Sequence, residues 1–400
     1  MTTVRALARL LREAQTSSPE DVVSTLETGA ATISARDLVL YLIDYEQQIL
    51  QPTPSGAEPA TVHGTMAGRS FTTQTLLETA LDDGALQLWV PVTERAERLG
   101  VLRLTVDTLD EERREFAEEL GLLAALLVLA ASPYTDRFHL QRRRRELDLA
   151  AEMQWSLLPP LTFTTSGTTV AGLLEPAYEV GGDCFDYALN GDLLSLAVFD
   201  AMGHGLPSSV LSGLAVGAYR HARRRGTPLD ELLPHMEAAV ANLMGDAFVT
   251  ALTATLDVVS GHLRWASAGH PSPLIVRNGS VLSEVPGSGN LPIGLGLVGR
   301  TEPVEPVELS LQPGDRVLLY TDGAVEARSP EGEEFGLDRL ADHLVRECAS
   351  GLRADEVLRR LVQDCMQWQG GTLRDDATLM LVEWSGAPVE VATQRTPELV

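Results

Sequence analysis

The chain has 400 residues, which is too long for one typical core and predicts two or three domains. Hydrophobic residues make up 44% of it, as is usual for folded domains. The formal net charge of −25 argues against nucleic acid and anionic membrane surfaces as partners, because both require clustered positive charge. The sequence contains no lysine, so Schiff-base chemistry and a Walker-type phosphate loop are excluded.

The cysteines and the N-terminus favour a cytoplasmic protein. Cys184, Cys348 and Cys365 are widely spaced and form no paired zinc motif, which favours a reducing compartment. Residues 1–17 are predicted to form an amphipathic helix with acidic and arginine residues, unlike a signal peptide. The apolar run 120–131 is too short to span a bilayer, so no membrane is expected.

Residues 18–131 are predicted to form a mixed domain. The stretch "ARDLVLYLID" is typical of a strand, and "GALQLWVPVTERAERLGVLRLTV" is typical of two strands joined by a polar turn. A helix is predicted over 110–131, with an apolar seam at steps of three and four: Phe116, Leu120, Leu123, Leu127 and Ala130. A second apolar face consists of Leu122, Leu126 and Leu129. The helix either packs on its own domain's sheet or pairs with its copy in a parallel homodimer.

Residues 132–160 are predicted to form a helical linker. One long helix is expected over 136–160, and Pro159 and Pro160 end it. The arginine run 142–145 is interpreted as a solvated face in preference to a phosphate or DNA patch.

From residue 161 onward, short β-rich runs alternate with glycine and proline turns. Helical segments at 206–244 and 336–368 interrupt the strands, which predicts an α+β domain with mainly antiparallel sheets over 161–385. The pair Asn278-Gly279 indicates a hairpin. Residues 386–400 are predicted to be a disordered tail.

Four aspartate-bearing turns distinguish this second half of the chain, three of them directly beside an apolar strand. Their aspartates are Asp183, Asp186, Asp200, Asp322, Asp375 and Asp376. A single Asp-Gly after a strand is normally a turn. Several carboxylates brought together repel each other, however, and hard divalent cations such as Mg²⁺ or Mn²⁺ neutralise them. Two such ions activate a water molecule and bind phosphoryl oxygens.

The ordered motifs GGD, DAMGHG, AGHPSP, LPIG, YTDG and DDAT resemble the metal-dependent (PPM, type 2C) protein serine/threonine phosphatases, and more narrowly their bacterial SpoIIE/RsbU-type branch. The resemblance covers about 146–384. Residues 18–131 resemble a GAF sensor domain. These resemblances imply a GAF-like α/β domain, a helical linker and a four-layer αββα sandwich.

The resemblance also implies the roles of individual site residues. Asp183 would bind one metal ion, and Asp200 would bridge two ions, Mn²⁺ or Mg²⁺; both are expected to be catalytic. The carbonyl of Ala201 would complete the second metal site. Asp322 and Asp375 would hold the other ion, and Asp376 is the alternative to Asp375.

Two histidines near these motifs have open roles. Typical members of the family carry a general-acid histidine two residues after the bridging aspartate, where this chain has Met202. His204 is interpreted as a structural residue at the start of the next helix, with acid catalysis as the alternative. His270 is expected to stabilise its loop by a hydrogen bond, with substrate contact as the alternative.

Three other patterns have weaker interpretations. Ser208, Ser209 and His204 would be needed for Ser-His-Asp hydrolysis, but no G-x-S-x-G elbow is present. The run "GLGLVG" at 294–299 lacks the strand–turn–helix context of dinucleotide binding. Cys184 is either a redox-sensitive thiol or a small buried apolar residue.

The sequence therefore predicts a cytoplasmic regulator that hydrolyses phosphoserine or phosphothreonine on a protein. The resemblance implies that the substrate is a phosphorylated anti-sigma-factor antagonist of the STAS type, in partner-switching signalling. The alternative is a catalytically weak signalling scaffold, in which the GAF-like domain and the helices bind partners. A nucleotide-binding switch is disfavoured because the Walker motif is missing.

Overall fold

The computed structural model describes most of the chain, and two compact units divide it. The described residues are 3–53, 56–175, 178, 181–240, 243, 245, 247–282, 289–295, 303–371, 373 and 375–386. The first unit comprises Met1–Glu152 and Glu175–Glu179, and the second comprises Met153–Leu174 and Val180–Val400. The predicted tail falls almost entirely outside the described residues, as do residues 296–299 of "GLGLVG".

The first unit is a six-stranded antiparallel sheet with helices on both faces. Its strands are β1 (Arg36–Ile43), β2 (Ile49–Pro52), β3 (Ala60–Thr61), β4 (Leu77–Ala80), β5 (Leu86–Glu94) and β6 (Glu97–Val106), in the order β3-β2-β1-β6-β5-β4. Its helices are α1 (Thr3–Ala14), α2 (Val22–Ala30), α3 (Met66–Thr73), α4 (Glu111–Ala131) and α5 (Arg137–Gln141). The GAF resemblance of this unit stays a prediction.

The main core of the first unit lies between one face of the sheet and three helices. Side chains of α1, α2 and α4 form it together with strands β1, β5 and β6. The first helix is therefore integrated into this unit, because its Ala6 and Leu10 are buried in the same core. Helix α3 covers the opposite face, where Phe71 packs on Tyr41 and Val101.

Helix α4 packs its apolar seam on its own sheet. Phe116, Leu120, Leu123 and Leu127 are buried in the core, so the first of the two predicted alternatives is correct for these seam residues, whereas Ala130 is exposed. The second face differs, because Leu122, Leu126 and Leu129 are 50%, 44% and 40% exposed. By length and composition alone, Glu111–Tyr134 is a candidate membrane span, but more than half of its apolar window is buried inside the protein, as in the core helix of a folded domain.

The linker differs from the single long helix expected over 136–160. Helix α5 ends at Gln141, and Arg142 is its C-cap. The next helix, α6 (Leu149–Leu157), begins seven residues after Arg142. The four arginines 142–145 lie in this break. Arg142 donates from Nε to the carbonyl of Ile43, and Arg144 forms an ion pair with Glu46. These bonds hold residues 142–145 in an irregular backbone conformation, although the periodicity of the sequence alone predicts a helix there.

The two faces of α4 provide a stability test. Leu123→Ala should lower the free energy of unfolding by about 2–5 kcal/mol, because it leaves a cavity in the core. Leu126→Ala should lower it by less than Leu123→Ala does, because that side chain is half exposed and leaves no cavity in the core of the first unit. Urea unfolding of the two variants measures the difference, and equal effects would contradict the described packing.

The second unit contains one five-stranded and one six-stranded sheet. Its helices besides α6 are α7 (Leu206–Arg224), α8 (Leu229–Val240), α9 (Gly323–Glu326), α10 (Gly336–Ala349) and α11 (Ala354–Gln369). Its strands are β7 (Thr162–Thr165), β8 (Thr168–Glu175), β9 (Asp183–Asn190), β10 (Leu193–Ala201), β11 (Val249–Asp257), β12 (His262–Ala268), β13 (Leu274–Arg277), β14 (Ser280–Val281), β15 (Val307–Ser310), β16 (Asp315–Tyr320) and β17 (Ala377–Trp384). The strand orders are β15-β12-β11-β10-β9 and β14-β13-β16-β17-β8-β7.

These elements form the predicted four layers. Alternate residues of both sheets, among them Val198, Leu252 and Met380, pack into one core between the sheets. Helices α7 and α8 cover the outer face of the five-stranded sheet, and α10 and α11 cover that of the six-stranded sheet. The αββα sandwich is thus confirmed, as is the hairpin at Asn278-Gly279, where both residues have positive φ.

Candidate active site

Strand register brings the first acidic residues together. Asp200 near the end of β10 lies directly opposite Asp183 on β9 and directly opposite Thr250 on β11. Directly opposed residues of antiparallel strands project to the same face of a sheet. This is the face that carries Val198 into the core between the sheets. The three side chains therefore lie side by side at one end of the sandwich.

The second sheet contributes acids at the same end. Asp322 follows β16, and Asp375 and Asp376 precede β17, its neighbour in the sheet. The Thr321 hydroxyl donates to Asp183 Oδ2, which joins the two sheets at this point. The YTDG glycine is required here, because a Cβ on Gly323 would lie 1.9 Å from the Asp376 carbonyl oxygen.

The GGD loop is tightly enclosed by backbone and hydroxyl groups. A Cβ on Gly182 would lie 2.1 Å from Ser208 Oγ and 2.3 Å from the Ala201 carbonyl oxygen. Ser208 donates to that carbonyl at 2.9 Å, and Ser209 donates to the Gly181 carbonyl at 3.1 Å. Ser208 and Ser209 are buried and bond the backbone, which excludes them as nucleophiles in a Ser-His-Asp arrangement.

The five acids fall into an exposed and a buried set. Asp322 and Asp375 are exposed and Asp200 is half-buried. Asp183 and Asp376 are buried. The buried carboxylates have protein donors: Asp376 Oδ2 accepts the Gly181 amide at 2.5 Å and is 3.4 Å from the Asp183 amide nitrogen.

Burial and mutual repulsion make these carboxyl groups poor acids. Burial, followed by the charges of Asp322 and Asp375, raises the pKa of Asp200 to about 6. Burial also raises the pKa of Asp376 to about 7, although two backbone amides oppose the shift. The pKa of Asp183 is raised strongly by burial and by Asp376 and Asp200. Among the described residues, the charged neighbours that raise the pKa values of these three groups are all aspartates.

The donor set fits hard divalent cations. It consists of carboxylate and carbonyl oxygens, which Mg²⁺ and Mn²⁺ prefer, and its carboxylates repel one another. In the described part of the chain, no three Asp, Glu, His or Cys side chains are arranged as a closed ligand group for one ion. The structure thus supplies the donors and the charge, and it leaves the assignment of Asp183, Asp200, Ala201, Asp322 and Asp375 as ligands a prediction.

The remaining predicted residues have clear positions. His204 is exposed just before α7 and donates to or accepts from no described residue, so its predicted structural contact has no counterpart there. Cys184 is fully buried, and burial raises the pKa of its thiol to about 12, which favours the interpretation as a small apolar residue. Asp186 forms ion pairs with Arg220 and Arg223, away from the acid cluster.

Sequence reasoning missed the hydroxyl residues of the site. Thr250 lies directly opposite Asp200, and the Thr321 hydroxyl donates to Asp183 and accepts the Thr378 amide. One pattern could have revealed them: Thr321 and Thr378 have the inward parity of their apolar strands, directly beside Asp322 and two residues after Asp376. Thr250 is recognisable only from the pairing of β10 with β11.

Comparison with known proteins agrees with this geometry. A family model described as stage II sporulation protein E (SpoIIE) matches residues 190–385, a segment that includes Asp200, Asp322 and Asp375. The match identifies a SpoIIE-type PPM phosphatase domain in the second unit. This family consists of serine/threonine protein phosphatases, so the predicted enzyme class is confirmed. The GGD motif with Asp183 lies before the matched segment of the phosphatase domain.

Individual relatives are distant. Phosphoserine phosphatase RsbU of Bacillus subtilis (strain 168) is 22% identical over 246 residues, which cover 60% of this chain and 71% of RsbU. Protein IcfG of Synechocystis sp. (strain ATCC 27184 / PCC 6803 / Kazusa) is 24% identical over 269 residues, covering 60% of this chain and 41% of IcfG. The solved SiaA-PP2C domain of Pseudomonas aeruginosa is 25% identical, with a TM-score of 0.49, and covers 59% of this chain and 95% of that domain.

The raised pKa values of the phosphatase domain predict a pH-dependent response to metal. Acids with a raised folded-state pKa favour the folded state at low pH, and this contribution is lost as pH rises through about 6 to 7. We therefore expect millimolar Mn²⁺ to raise the melting temperature of the full chain more at about pH 8 than at about pH 5, since deprotonated carboxylates bind the ion.

Thermal unfolding with Mn²⁺ and with a chelator at both pH values measures this response. Asp200→Asn should reduce the difference, whereas Asp338→Asn, which removes an exposed acid on α10, should leave it unchanged. An equal metal effect at both pH values would contradict the expectation.

Proposed function

We propose that this chain is a metal-dependent phosphatase that removes phosphate from phosphoserine or phosphothreonine in a protein. The observation that carries the proposal is the cluster of carboxylates at one end of the sandwich, where Asp200 lies opposite Asp183 and close enough to Asp322 and Asp375 for their charges to raise its pKa. Two divalent ions, Mn²⁺ or Mg²⁺, would activate a water molecule there and neutralise phosphoryl charge.

Exposure divides the roles of the five acids. We propose Asp200 as the bridging ligand and the exposed Asp322 and Asp375 as its partners, because their carboxylates are accessible. Asp376 would support the site from behind, because its carboxylate accepts the Gly181 amide. This favours Asp375 over Asp376 as a ligand. Asp183 is a buried candidate ligand opposite Asp200, and its direct coordination stays a prediction.

Two further groups have proposed roles at this site. The Ala201 carbonyl would complete the second metal site while Ser208 holds its orientation by a hydrogen bond of 2.9 Å. His204 is exposed on the loop that follows Asp200, so its ring is free to meet solvent or substrate. It is the candidate proton donor to the leaving serine oxygen.

A protein substrate is favoured by the apolar surroundings of the acids. Met202 and Leu206, which follow Asp200 closely, are 49% and 41% exposed, and Leu291 of the LPIG motif is 54% exposed. Exposed apolar side chains beside a charged site suit a folded protein surface. By resemblance, the substrate would be a phosphorylated STAS-type anti-sigma-factor antagonist, in a cytoplasmic partner-switching pathway.

The proposed ligands can be tested by substitution. Asp200→Asn and Asp322→Asn should reduce the Mn²⁺-dependent hydrolysis of p-nitrophenyl phosphate and of a phosphoserine peptide by more than about 100-fold, since loss of even outer-shell partners costs about 10–100-fold. Asp338→Asn is the matched control and should keep the wild-type rate. Circular dichroism confirms the fold of each variant.

The alternative function, a catalytically weak scaffold, predicts a different result in the same assay. A scaffold would show a low rate that neither Mn²⁺ nor the Asp200 and Asp322 substitutions change. A full rate in Asp200→Asn at saturating Mn²⁺ would refute the proposed site.

We also propose that the chain forms a homodimer through the exposed face of α4. Leu122, Leu126 and Leu129 form one stripe of half-exposed leucines on a helix whose other face is buried, and a second copy of this stripe would cover it. The predicted seam does not form this interface, because its Leu123 is buried in the core of the first unit.

Helix α7 is the proposed receiver of a regulatory signal from the linker. Arg220 on α7 donates to the carbonyl of Leu157 at 2.6 Å and bonds Asp186 on β9 at 2.7 Å. The end of α6 is thereby tied to the helix that follows Asp200 and to the strand that begins with Asp183. A displacement of the linker would reach the acids through these two elements.

The dimer prediction is tested with a variant that changes the exposed face of α4 and leaves the buried core intact. Leu126→Glu should convert a micromolar dimer into a monomer and change the basal phosphatase rate, because it places a charge in the leucine stripe. Analytical ultracentrifugation measures the mass, with Asp338→Asn on the exposed surface of α10 as a control. A wild-type monomer, or a dimer that persists in Leu126→Glu, would contradict this prediction.

A further inference from the structure

The outer face of the five-stranded sheet changes from apolar to polar along β10. Ala197 and Phe199 lie on this face and pack in the core beneath α7 and α8. Ser195 lies on the same face, because side chains two residues apart on a strand point to the same side. Strand register places Thr255 directly opposite Ser195, and Arg264 directly opposite Thr255. A row of polar side chains therefore crosses this face at the end of the sheet that is far from the acid cluster.

A cavity of about 950 Å³, the α7–α8 cavity, is lined by this polar row. The helices contribute apolar and aromatic side chains to the same lining, namely Tyr219, Leu229 and Leu232. Clefts that hold small-molecule ligands have volumes of about 300–1,000 Å³ and combine apolar side chains with a few polar groups. The α7–α8 cavity has this size and this composition.

One buried polar group at the α7–α8 cavity lacks a partner among the described residues. Tyr219 is only 2% exposed, and its hydroxyl makes no hydrogen bond of ordinary geometry in the described part of the chain. Its ring packs edge-on against Phe199 with a centroid distance of 5.6 Å, and the Arg223 guanidinium lies 5.2 Å from the ring centroid. Buried polar groups in folded proteins nearly always have a hydrogen-bond partner. Because Tyr219 lines the cavity, a molecule bound there is in a position to supply one.

Three arginines line the α7–α8 cavity, although the net charge of the chain is −25. Arg223 and Arg264 each direct one nitrogen to an acid outside the lining, Asp186 and Glu308 respectively. A guanidinium carries five N–H donors, so both side chains keep donors for a further acceptor. Arg224 is exposed and forms no ion pair with a described residue. Guanidinium donors match the geometry of carboxylate and phosphate groups.

Asp257 is the acid among the described residues that line the α7–α8 cavity. Its Oδ1 accepts the backbone amides of Val259 at 3.1 Å and Ser260 at 2.8 Å, so this carboxylate is engaged in its own turn. The groups that remain for a ligand are guanidinium and hydroxyl donors beside leucine side chains. This combination suits an anion with an apolar body and does not suit a metal cation.

We propose that the α7–α8 cavity binds a small organic anion, in which a carboxylate, phosphate or sulfonate group is attached to an apolar ring. Arg223 and Arg224 would hold the anionic group by charge-assisted hydrogen bonds. Leu229 and Leu232 would cover the ring, and the Tyr219 hydroxyl would gain the partner that it lacks among the described residues.

This site is separate from the acid cluster. Ser195 lies on the opposite face of β10 from Asp200 and five residues before it, which is about 17 Å along an extended strand. A molecule in the cavity would therefore not compete with a phosphoryl group at the acids. It would contact the far end of α7, the helix that follows Asp200.

A dye with the proposed chemistry tests the site. Anilinonaphthalene sulfonate carries a sulfonate on aromatic rings, and its fluorescence rises when it leaves water. Titrated into the full chain with a chelator present, it should bind saturably. Arg224→Glu should weaken this binding by about tenfold, because a hydrogen bond between charged groups is lost. Arg225→Glu is the matched control and should bind like the wild type, since Arg225 is also exposed but does not line the cavity.

A second variant tests the location without a change of charge. Thr255→Trp should abolish the saturable binding, because an aromatic residue suits a strand and its rings would occupy the cavity. Circular dichroism checks its fold. If this variant does not fold, the exposed positions 224 and 225 still give the comparison.

Competition separates the two parts of the ligand. Naphthalene sulfonate should displace the dye, whereas inorganic sulfate or neutral naphthyl methanol at the same concentration should not. Displacement by sulfate or by naphthyl methanol alone would overturn the proposed ligand class. Wild-type binding in Arg224→Glu or in folded Thr255→Trp, or an equal loss in Arg225→Glu, would overturn the site itself.

Discussion

The concentration of aspartates at one end of the sandwich is the constraint on which the rest of this site depends. Carboxylates that are buried near each other lose hydration and repel, so the folded state must supply donors or cations. Here the donors are backbone amides and threonine hydroxyls, as in the bonds to Asp376 and Asp183. They satisfy the buried acids and leave Asp200, Asp322 and Asp375 with charge that suits divalent ions.

This arrangement explains why small residues surround the acids. The Asp376 carboxylate reaches the Gly181 amide only because the GGD loop approaches it without a side chain. Gly182 similarly allows Ser208 and the Ala201 carbonyl to lie against the loop. A methyl group at Gly182 or Gly323 would displace backbone atoms that position the acids on both sheets. The glycines of these motifs are therefore required for close packing, whether or not the neighbouring acids bind metal.

Ion pairs and a hydrogen bond also connect the strand that carries Asp183 to more distant parts of the second unit. Asp186, on the same strand as Asp183, is buried with Arg220 and Arg223 of α7. Removing one partner of a buried ion pair leaves an uncompensated charge, so these residues hold α7 and β9 together firmly. Because Arg220 also binds the Leu157 carbonyl, the end of the linker shares this rigid junction. Regulation through the linker would act on elements that already determine where Asp183 and Asp200 lie.

The sequence by itself determined the class of fold, the enzyme family and the set of acids. Alternating strands, two helical segments and ordered motifs sufficed, because local periodicity and short motifs are properties of contiguous residues. Only the tertiary structure decided which residues that are far apart in the sequence come into contact. Strand register placed Thr250 beside Asp200, and packing on the sheet decided that Leu123 faces the core while Leu126 faces outward. Hydrogen bonds from residues 142–145 broke the expected linker helix, and burial separated Asp376 from its exposed neighbour Asp375. Each of these outcomes depends on contacts between residues that are far apart in the chain, so no local pattern could predict them.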